Sequence, residues 1–200
     1  MPELSRDKIV AVSDIRADGT TLSVLETHTG DLASISPEEL TFILDCLLYN
    51  LHQRWCWQFH IAKNGHMDKF VTMCKKVIDC GAILDRNDVV YDGKVLAPCS
   101  HVWASNEQRL IDLFLSAGAS IDTDRFGRTP LHLLALAFQA EDFDNGAIQS
   151  LLDAGVDMNA TDKEGRTMFD IAVQPDMRTK GSKETIQRLQ ALGARASKAH

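Results

Sequence analysis

Two related stretches of sequence decide the fold: GRTPLHLLALA at Gly127–Ala137 and GRTMFDIAV at Gly165–Val173. Both begin with Gly-Arg-Thr and continue with apolar residues at matching positions, and an Ala occurs late in each run. In the first stretch, Gly127 favours a turn and Thr129 is suited to capping the free N–H groups of a helix. Pro130 suits the first helical position, where no N–H is needed. The two stretches therefore predict a turn followed by a helix, repeated along the chain.

A glycine followed by a small residue recurs at nearly constant spacing. The spacings are 37, 37 and 38 residues, between Gly81, Gly118, Gly155 and Gly193. Each glycine follows a stretch with apolar residues at i, i+3 and i+4, which is typical of a helix with one buried face. Glycine ends such helices because it adopts positive φ without steric cost. The pattern predicts a repeating unit of turn, helix, loop, helix and terminal glycine.

The best-matched unit joins DRFGRTPLHLLA, from Asp124, to IQSLLDAGVDMNA, from Ile148, and it resembles the ankyrin repeat. Weaker units are identified in DGKVLAPCSHVWA, from Asp92, and in QFHIAKNGHMDKF, from Gln58, which keeps the interhelix turn of the family. The resemblance implies a mainly α fold, an ankyrin-repeat solenoid of helix pairs. About four units are expected over residues 55–197.

The resemblance also assigns roles within the last two units. It implies that His132 is structural and bonds the turn of its own or the adjacent unit. The unit that starts at Asp162 keeps the Gly and Thr but has Met168 and Asp170 where the family has Pro and His. A terminal repeat faces water on one side and can relax the family pattern. This unit is therefore predicted to be the C-terminal cap.

The units are longer than those of the family. Ankyrin units run about 33 residues, and the extra residues in the two C-terminal units fall between the helices, at 138–146 and 174–182. Long loops often carry function, so these segments are either surplus length or partner-specific loops.

The chain before the repeats follows a different pattern. Residues 1–35 alternate apolar and polar side chains and contain two turn signals, which predicts a short antiparallel β segment. Its two or three strands are expected near 8–16, 20–27 and 31–35. A capping helix is predicted over residues 36–54, because Ser36 and Glu39 form a capping box before a strongly apolar run.

Composition narrows the class of protein. The 200 residues carry a net charge of −7, which argues against binding nucleic acid or an anionic membrane. No apolar run reaches the roughly 18 residues of a membrane span, and the N-terminus lacks a signal-peptide layout. The five cysteines lack Cys-x-x-Cys spacing, which favours free thiols in a reducing compartment. We expect a cytoplasmic protein, with signal-independent secretion left open and the oligomeric state undetermined.

Sequence motifs for catalysis are missing, so we expect no enzyme, no cofactor and no metal. One alternative is a zinc or thiol site built on His52, Cys56 and His60, which are spaced i, i+4 and i+8 along a helix. A fourth ligand is not evident and aromatic residues interleave with the three, so simple packing is favoured.

The resemblance implies that a protein partner binds the hairpin tips and the exposed positions of each first helix. Mapped onto this chain, the candidate partner-binding residues are Tyr91, Trp103, Arg125, Phe126, Arg128, Leu136, Lys163 and Arg166. Aromatic and arginine side chains dominate the energetics of protein interfaces. The alternative for Trp103 is a shifted register that places it in the core.

These residues predict a non-enzymatic protein–protein interaction module, acting as an adaptor or as an inhibitor. A variant of this hypothesis is a bacterial immunity protein or host-directed effector that uses the same surface.

Overall fold

The structure is a computed structural model that describes residues 32–52, 67–84, 89–91, 94–137, 145–174 and 183–197. The chain divides into two compact units, Met1–His101 and Val102–His200. The described part is mainly helical and includes one short β-hairpin.

In the first unit, the described residues form two long helices and the hairpin. Its elements are helix α1 (Pro37–His52), helix α2 (Met67–Asp79), strand β1 (Val89–Tyr91) and strand β2 (Lys94–Leu96). The strands pair antiparallel, with Val90 opposite Val95, and the hairpin and α2 both pack against α1. Helix α3 (Pro98–Trp103) follows β2 and spans the boundary between the two units.

The predicted capping box at the start of α1 is confirmed. The Glu39 backbone N–H donates to Ser36 Oγ at 3.3 Å, and the Ser36 N–H donates to Glu39 Oε2 at 3.4 Å. Two polar side chains of α1 accept hydrogen bonds from backbone N–H groups that are distant in sequence. Thr41 Oγ1 accepts from Ile83 N–H at 2.7 Å, and Asp45 Oδ1 accepts from Ala97 N–H at 2.8 Å. Both bonds satisfy backbone donors that would otherwise be left unpaired in the interior.

The predicted third N-terminal strand, near 31–35, is wrong where the structure describes it. Leu32–Ser34 forms a single 3-10 turn, closed by a bond from Ile35 N–H to the Leu32 carbonyl at 3.2 Å. The turn buries Leu32 just before the cap of α1, and an alternation over so few residues does not distinguish a strand from such a turn. The strands expected near 8–16 and 20–27 lie outside the described residues.

The second unit is built from helix pairs. Its helices are α4 (Gln108–Ser116), α5 (Pro130–Ala137), α6 (Asn145–Asp153), α7 (Met168–Val173) and α8 (Lys183–Ala191). Helix α5 pairs with α6, and α7 pairs with α8, while α5 also packs on α7 and α4 on α6. First helices therefore stack on first helices and second helices on second helices, as expected for a helical repeat.

The glycine periodicity is confirmed as a set of helix C-caps. Gly81, Gly118, Gly155 and Gly193 all have positive φ. After α4, the Gly118 N–H donates to the Leu115 carbonyl at 3.0 Å and the Ala119 N–H donates to the Phe114 carbonyl at 2.9 Å. These two bonds form a Schellman motif, which satisfies carbonyls that the helix end leaves free. The other three glycines show the same pair of bonds.

Candidate partner-binding surface

The hairpin tip before α5 is organised by one carboxylate. Asp124 Oδ1 accepts hydrogen bonds from the backbone N–H groups of Phe126, at 2.9 Å, and Arg128, at 2.8 Å. Asp124 Oδ2 accepts from Arg128 Nε at 2.7 Å and lies 2.6 Å from Arg128 Nη2. Charge-assisted bonds with this forked geometry are the strong ones. The tip is therefore a fixed loop, and we call this arrangement the Asp124 hook.

The same arrangement recurs 38 residues later. Asp162 Oδ1 accepts from the backbone N–H groups of Glu164, at 2.9 Å, and Arg166, at 3.0 Å. Asp162 Oδ2 accepts from Arg166 Nε and Nη2 at 3.0 and 2.8 Å. We call this the Asp162 hook. The role of the two Asp residues was not predicted, although the repeated Asp-x-x-Gly-Arg-Thr spacing is a signal for it.

Both hook carboxylates have lowered pKa values. Burial alone would raise the pKa of Asp124, but bonds from the Arg128 side chain and from the backbone of Arg128 and Phe126 outweigh it. The pKa of Asp162 is lowered in the same way, against burial, by the bonds from Arg166 and Glu164. Both groups are therefore ionised at neutral pH, as the hooks require.

Neighbouring tips are joined to each other. The Lys163 N–H donates to the Phe126 carbonyl at 3.0 Å. Gly127 has a φ of +74°, and a Cβ at this position would lie 3.1 Å from the Lys163 nitrogen and 3.2 Å from Lys163 Cγ. The Lys163 side chain therefore passes directly over Gly127, and only glycine fits both the backbone conformation and the close approach.

The predicted structural role of His132 is confirmed. Its Nδ1 accepts from the Thr129 backbone N–H at 3.1 Å, so the ring nitrogen Nε2 carries the hydrogen and donates to the Arg166 carbonyl at 2.9 Å. His132 is buried. It therefore bonds the turn of its own unit and that of the next, and it fixes the two tips relative to each other.

Phe126 presents its ring at the first tip. Its side chain is 48% exposed, and Leu136 of α5 is 47% exposed; among the described residues these are the large apolar side chains that face solvent. The Arg125 and Arg128 guanidinium carbons lie 4.8 and 4.6 Å from the centre of the Phe126 ring. Both distances are within cation–π range. Arg125 and Lys163 are also exposed.

The prediction that Trp103 faces solvent is wrong. Its side chain is 0% exposed and packs edge-on against Phe114, with ring centres 6.4 Å apart. Pro98 and Pro130 each occupy the first helical position of their helix, and aligned on them Trp103 corresponds to Ala135, which is also buried. The alternative register is therefore correct, and Trp103 belongs to the core.

The other candidate residues are placed as follows. Tyr91 ends strand β1, and its side chain lies outside the described part. Arg166 is partly buried and bound to Asp162 and to Glu164, whose Oε2 lies 2.8 Å from Arg166 Nη1. Arg166 therefore fixes the second tip, while the first tip offers the exposed ring.

Asp170 holds the C-terminal segment. It forms a capping box with Thr167, whose N–H donates to Asp170 Oδ2 at 2.8 Å. Asp170 Oδ2 also accepts from the Ser197 N–H at 3.0 Å, and Asn159 Oδ1 accepts from the Arg195 N–H at 2.9 Å. Against the effect of burial, these bonds hold the pKa of Asp170 below its ordinary range. Asp170 thus takes the position of His132. Both accept from the backbone N–H of the Thr three residues earlier, but His132 donates its second bond to the Arg166 carbonyl, whereas Asp170 accepts from Ser197.

Other proposed chemistry falls largely outside the described residues. This applies to the side chains of His52, Cys56 and His60 and to most of the two long interhelix loops. Among the side chains that are described, no group of three His, Cys, Asp or Glu residues is arranged to hold a metal ion. Burial raises the pKa of the Cys74 thiol, which disfavours a reactive thiolate. The described helices include none with the length and apolar character needed to cross a membrane.

Comparison with known proteins agrees with the geometry of the tips and helices. Residues 126–163 match the family model of the ankyrin repeat, a segment that runs from the first tip through α5 and α6 to the second tip. No curated protein matches the chain. Ankyrin repeats generally mediate protein–protein binding and are typically non-enzymatic. The match, the helix pairs and the glycine caps support an ankyrin-repeat protein, with the family model covering residues 126–163.

Proposed function

We propose that this protein binds a protein partner through a surface made of Arg125, Phe126, Arg128, Leu136 and Lys163, which we call the Phe126 surface. The observation that carries the proposal is the half-exposed Phe126 ring on a tip whose backbone is fixed by the Asp124 hook. In this proposal the protein is non-enzymatic and works as an adaptor, or as an inhibitor that covers its partner.

The fixed tip favours tight binding. An interface loop that is already ordered loses little conformational entropy on association, which leaves more of the contact energy as affinity. Covering the exposed half of a phenylalanine contributes on the order of 1 kcal/mol from apolar area alone. An aromatic side chain at the centre of an interface typically contributes about 2 kcal/mol or more. Phe126 is therefore an aromatic interface residue on a loop that is ordered before the partner binds.

The experiment is affinity capture from native lysate, read by mass spectrometry. The immobilised chain is compared with Phe126→Ala and Leu136→Ala, and with Leu152→Ala as a control in a partly exposed leucine of α6. We expect both surface variants to lose the captured partner and the control to retain it, with the helical circular dichroism signal unchanged in all three. Equal capture by all variants would reject the Phe126 surface.

A further inference from the structure

The cations of the two tips differ in their electrostatic partners. Arg128 is bound to Asp124 at 2.6 Å, and Arg166 is bound to both Asp162 and Glu164. Arg125 and Lys163 are exposed, and no salt bridge connects either of them to another described residue. The two tips therefore contain two kinds of cation: those that hold the loops together and those with charge left for a partner.

Arg125 and Lys163 each contact a different part of the first tip. The Arg125 guanidinium is 4.8 Å from the centre of the Phe126 ring. Lys163 is bonded through its backbone to the Phe126 carbonyl, and its side chain passes over Gly127. A partner side chain that contacts the Phe126 ring therefore lies beside the Arg125 guanidinium, and the Lys163 side chain starts from a backbone bonded to the same residue.

The charge of this spot is opposite to that of the chain. The whole protein carries −7, yet Arg125 and Lys163, two exposed residues that contact the first tip, are both positive, while the exposed Glu164 is paired with Arg166. Local complementarity of this kind decides which partners associate and how fast. Arginine also offers planar N–H donors that bind carboxylates in a forked geometry, even when its face contacts an aromatic ring.

We infer that the Phe126 surface recognises an acidic segment of its partner protein, in which Asp or Glu residues flank an apolar side chain. The apolar side chain covers the Phe126 ring, and the carboxylates bind Arg125 and Lys163. This inference rests on the proposed function and names the chemical class of the partner.

The probe is a phage-displayed library of short random linear peptides, selected on the immobilised full chain. We expect the enriched peptides to carry at least two acidic residues beside an aromatic or aliphatic one, and to bind more weakly as salt is raised. Enrichment of neutral or basic peptides, or no enrichment, would overturn the inference.

A charge-reversal variant makes the test sharper. Arg125→Glu combined with Lys163→Glu should weaken binding of the selected acidic peptides by about tenfold or more, and should itself select basic peptides. Arg188→Glu, at an exposed position of α8, is the matched control and should bind as the unaltered chain does. Equal loss of affinity in the double variant and the control would contradict recognition by Arg125 and Lys163.

The outcomes separate the inference from the proposed function. If Phe126→Ala abolishes capture of a lysate partner while the double reversal leaves it intact, the surface is correct and the acidic partner is wrong. If Phe126→Ala leaves capture intact, the surface itself fails.

Discussion

The Asp124 and Asp162 tips share one design and differ in what they display. Each holds its loop with an Asp that accepts two backbone bonds and an Arg four residues later. Between these anchors, the first tip places Arg125 and Phe126, and the second places Lys163 and Glu164. The hook therefore fixes the loop, while the two residues after the Asp differ between the tips. In our proposal, these two positions determine which partner binds.

Removing a hook should have the largest effect on stability. Asp162 is more deeply buried than Asp124, with 2% against 16% of its side chain exposed. Asp162→Ala should therefore lower the free energy of unfolding by about 2–4 kcal/mol, and Asp124→Ala by about 1–3 kcal/mol, because each leaves two backbone donors without their acceptor and takes the Asp partner from a guanidinium. Urea denaturation measures both values. Losses of equal size, or a larger loss at Asp124, would contradict the inference that the more buried carboxylate contributes more to stability.

Acid should remove the contribution of these carboxylates to the stability of the fold. The pKa values of Asp124, Asp162 and Asp170 are lowered in the folded protein. Their contribution to stability is therefore complete above the unfolded pKa, about 3.9 for Asp, and is lost as the pH falls through the lower folded values. Urea denaturation at a series of pH values should show unfolding made easier below about pH 4. In Asp162→Ala this pH dependence should be smaller, and an unchanged dependence would contradict the role of Asp162.

The glycines of the two tips offer a matched pair with a smaller effect. Gly127 and Gly165 have similar φ, +74° and +76°, but only Gly127 is approached closely, with the Lys163 nitrogen 3.1 Å from a Cβ built there. Gly165→Ala should cost about 1–2 kcal/mol for the left-handed backbone alone. Gly127→Ala should cost about 2–3 kcal/mol, because the neighbouring tip must also move. Thermal and urea denaturation would test the order, and equal costs would show that the tips are not in close contact.

Of these substitutions, Phe126→Ala is expected to change the free energy of unfolding least and partner binding most. Phe126→Ala removes an exposed ring and its contacts with two guanidinium groups, so it should cost about 0.5–1 kcal/mol of folding free energy. If urea denaturation shows that the free energy of unfolding falls by more than about 3 kcal/mol, a value typical of core aromatics, the Phe126 ring is part of the packed core and not a free binding surface.

Features set by local chemistry were predictable from the sequence. Glycine C-caps and the Ser36–Glu39 box depend on a few neighbouring residues, and both are confirmed. The structural role of His132, which the family resemblance implied, is also confirmed, although its bond reaches Arg166 in the next unit. The exposed position predicted for Trp103 used the wrong register for the weak unit that starts at Asp92, because Pro98 at the first helical position sets the register. The β1–β2 hairpin was also missed, although Asp-Gly between two β-branched runs is a strong hairpin signal.

The close approach of the two tips could not be predicted from the sequence. The approach of Lys163 to Gly127 depends on how one repeat packs on the next, and side-chain exposure at Phe126 follows from that packing. Repeat spacing predicts which helices stack, but it does not give the distances between loops that are 38 residues apart in the chain.

Calorimetric titration of the captured partner with the chain and with Phe126→Ala tests the central claim most directly. Loss of a central aromatic anchor should weaken binding by about 30-fold, equivalent to about 2 kcal/mol, while the variant stays folded. An affinity within about twofold of the unaltered chain, below the effect of an interface anchor, would contradict the assignment of the Phe126 surface.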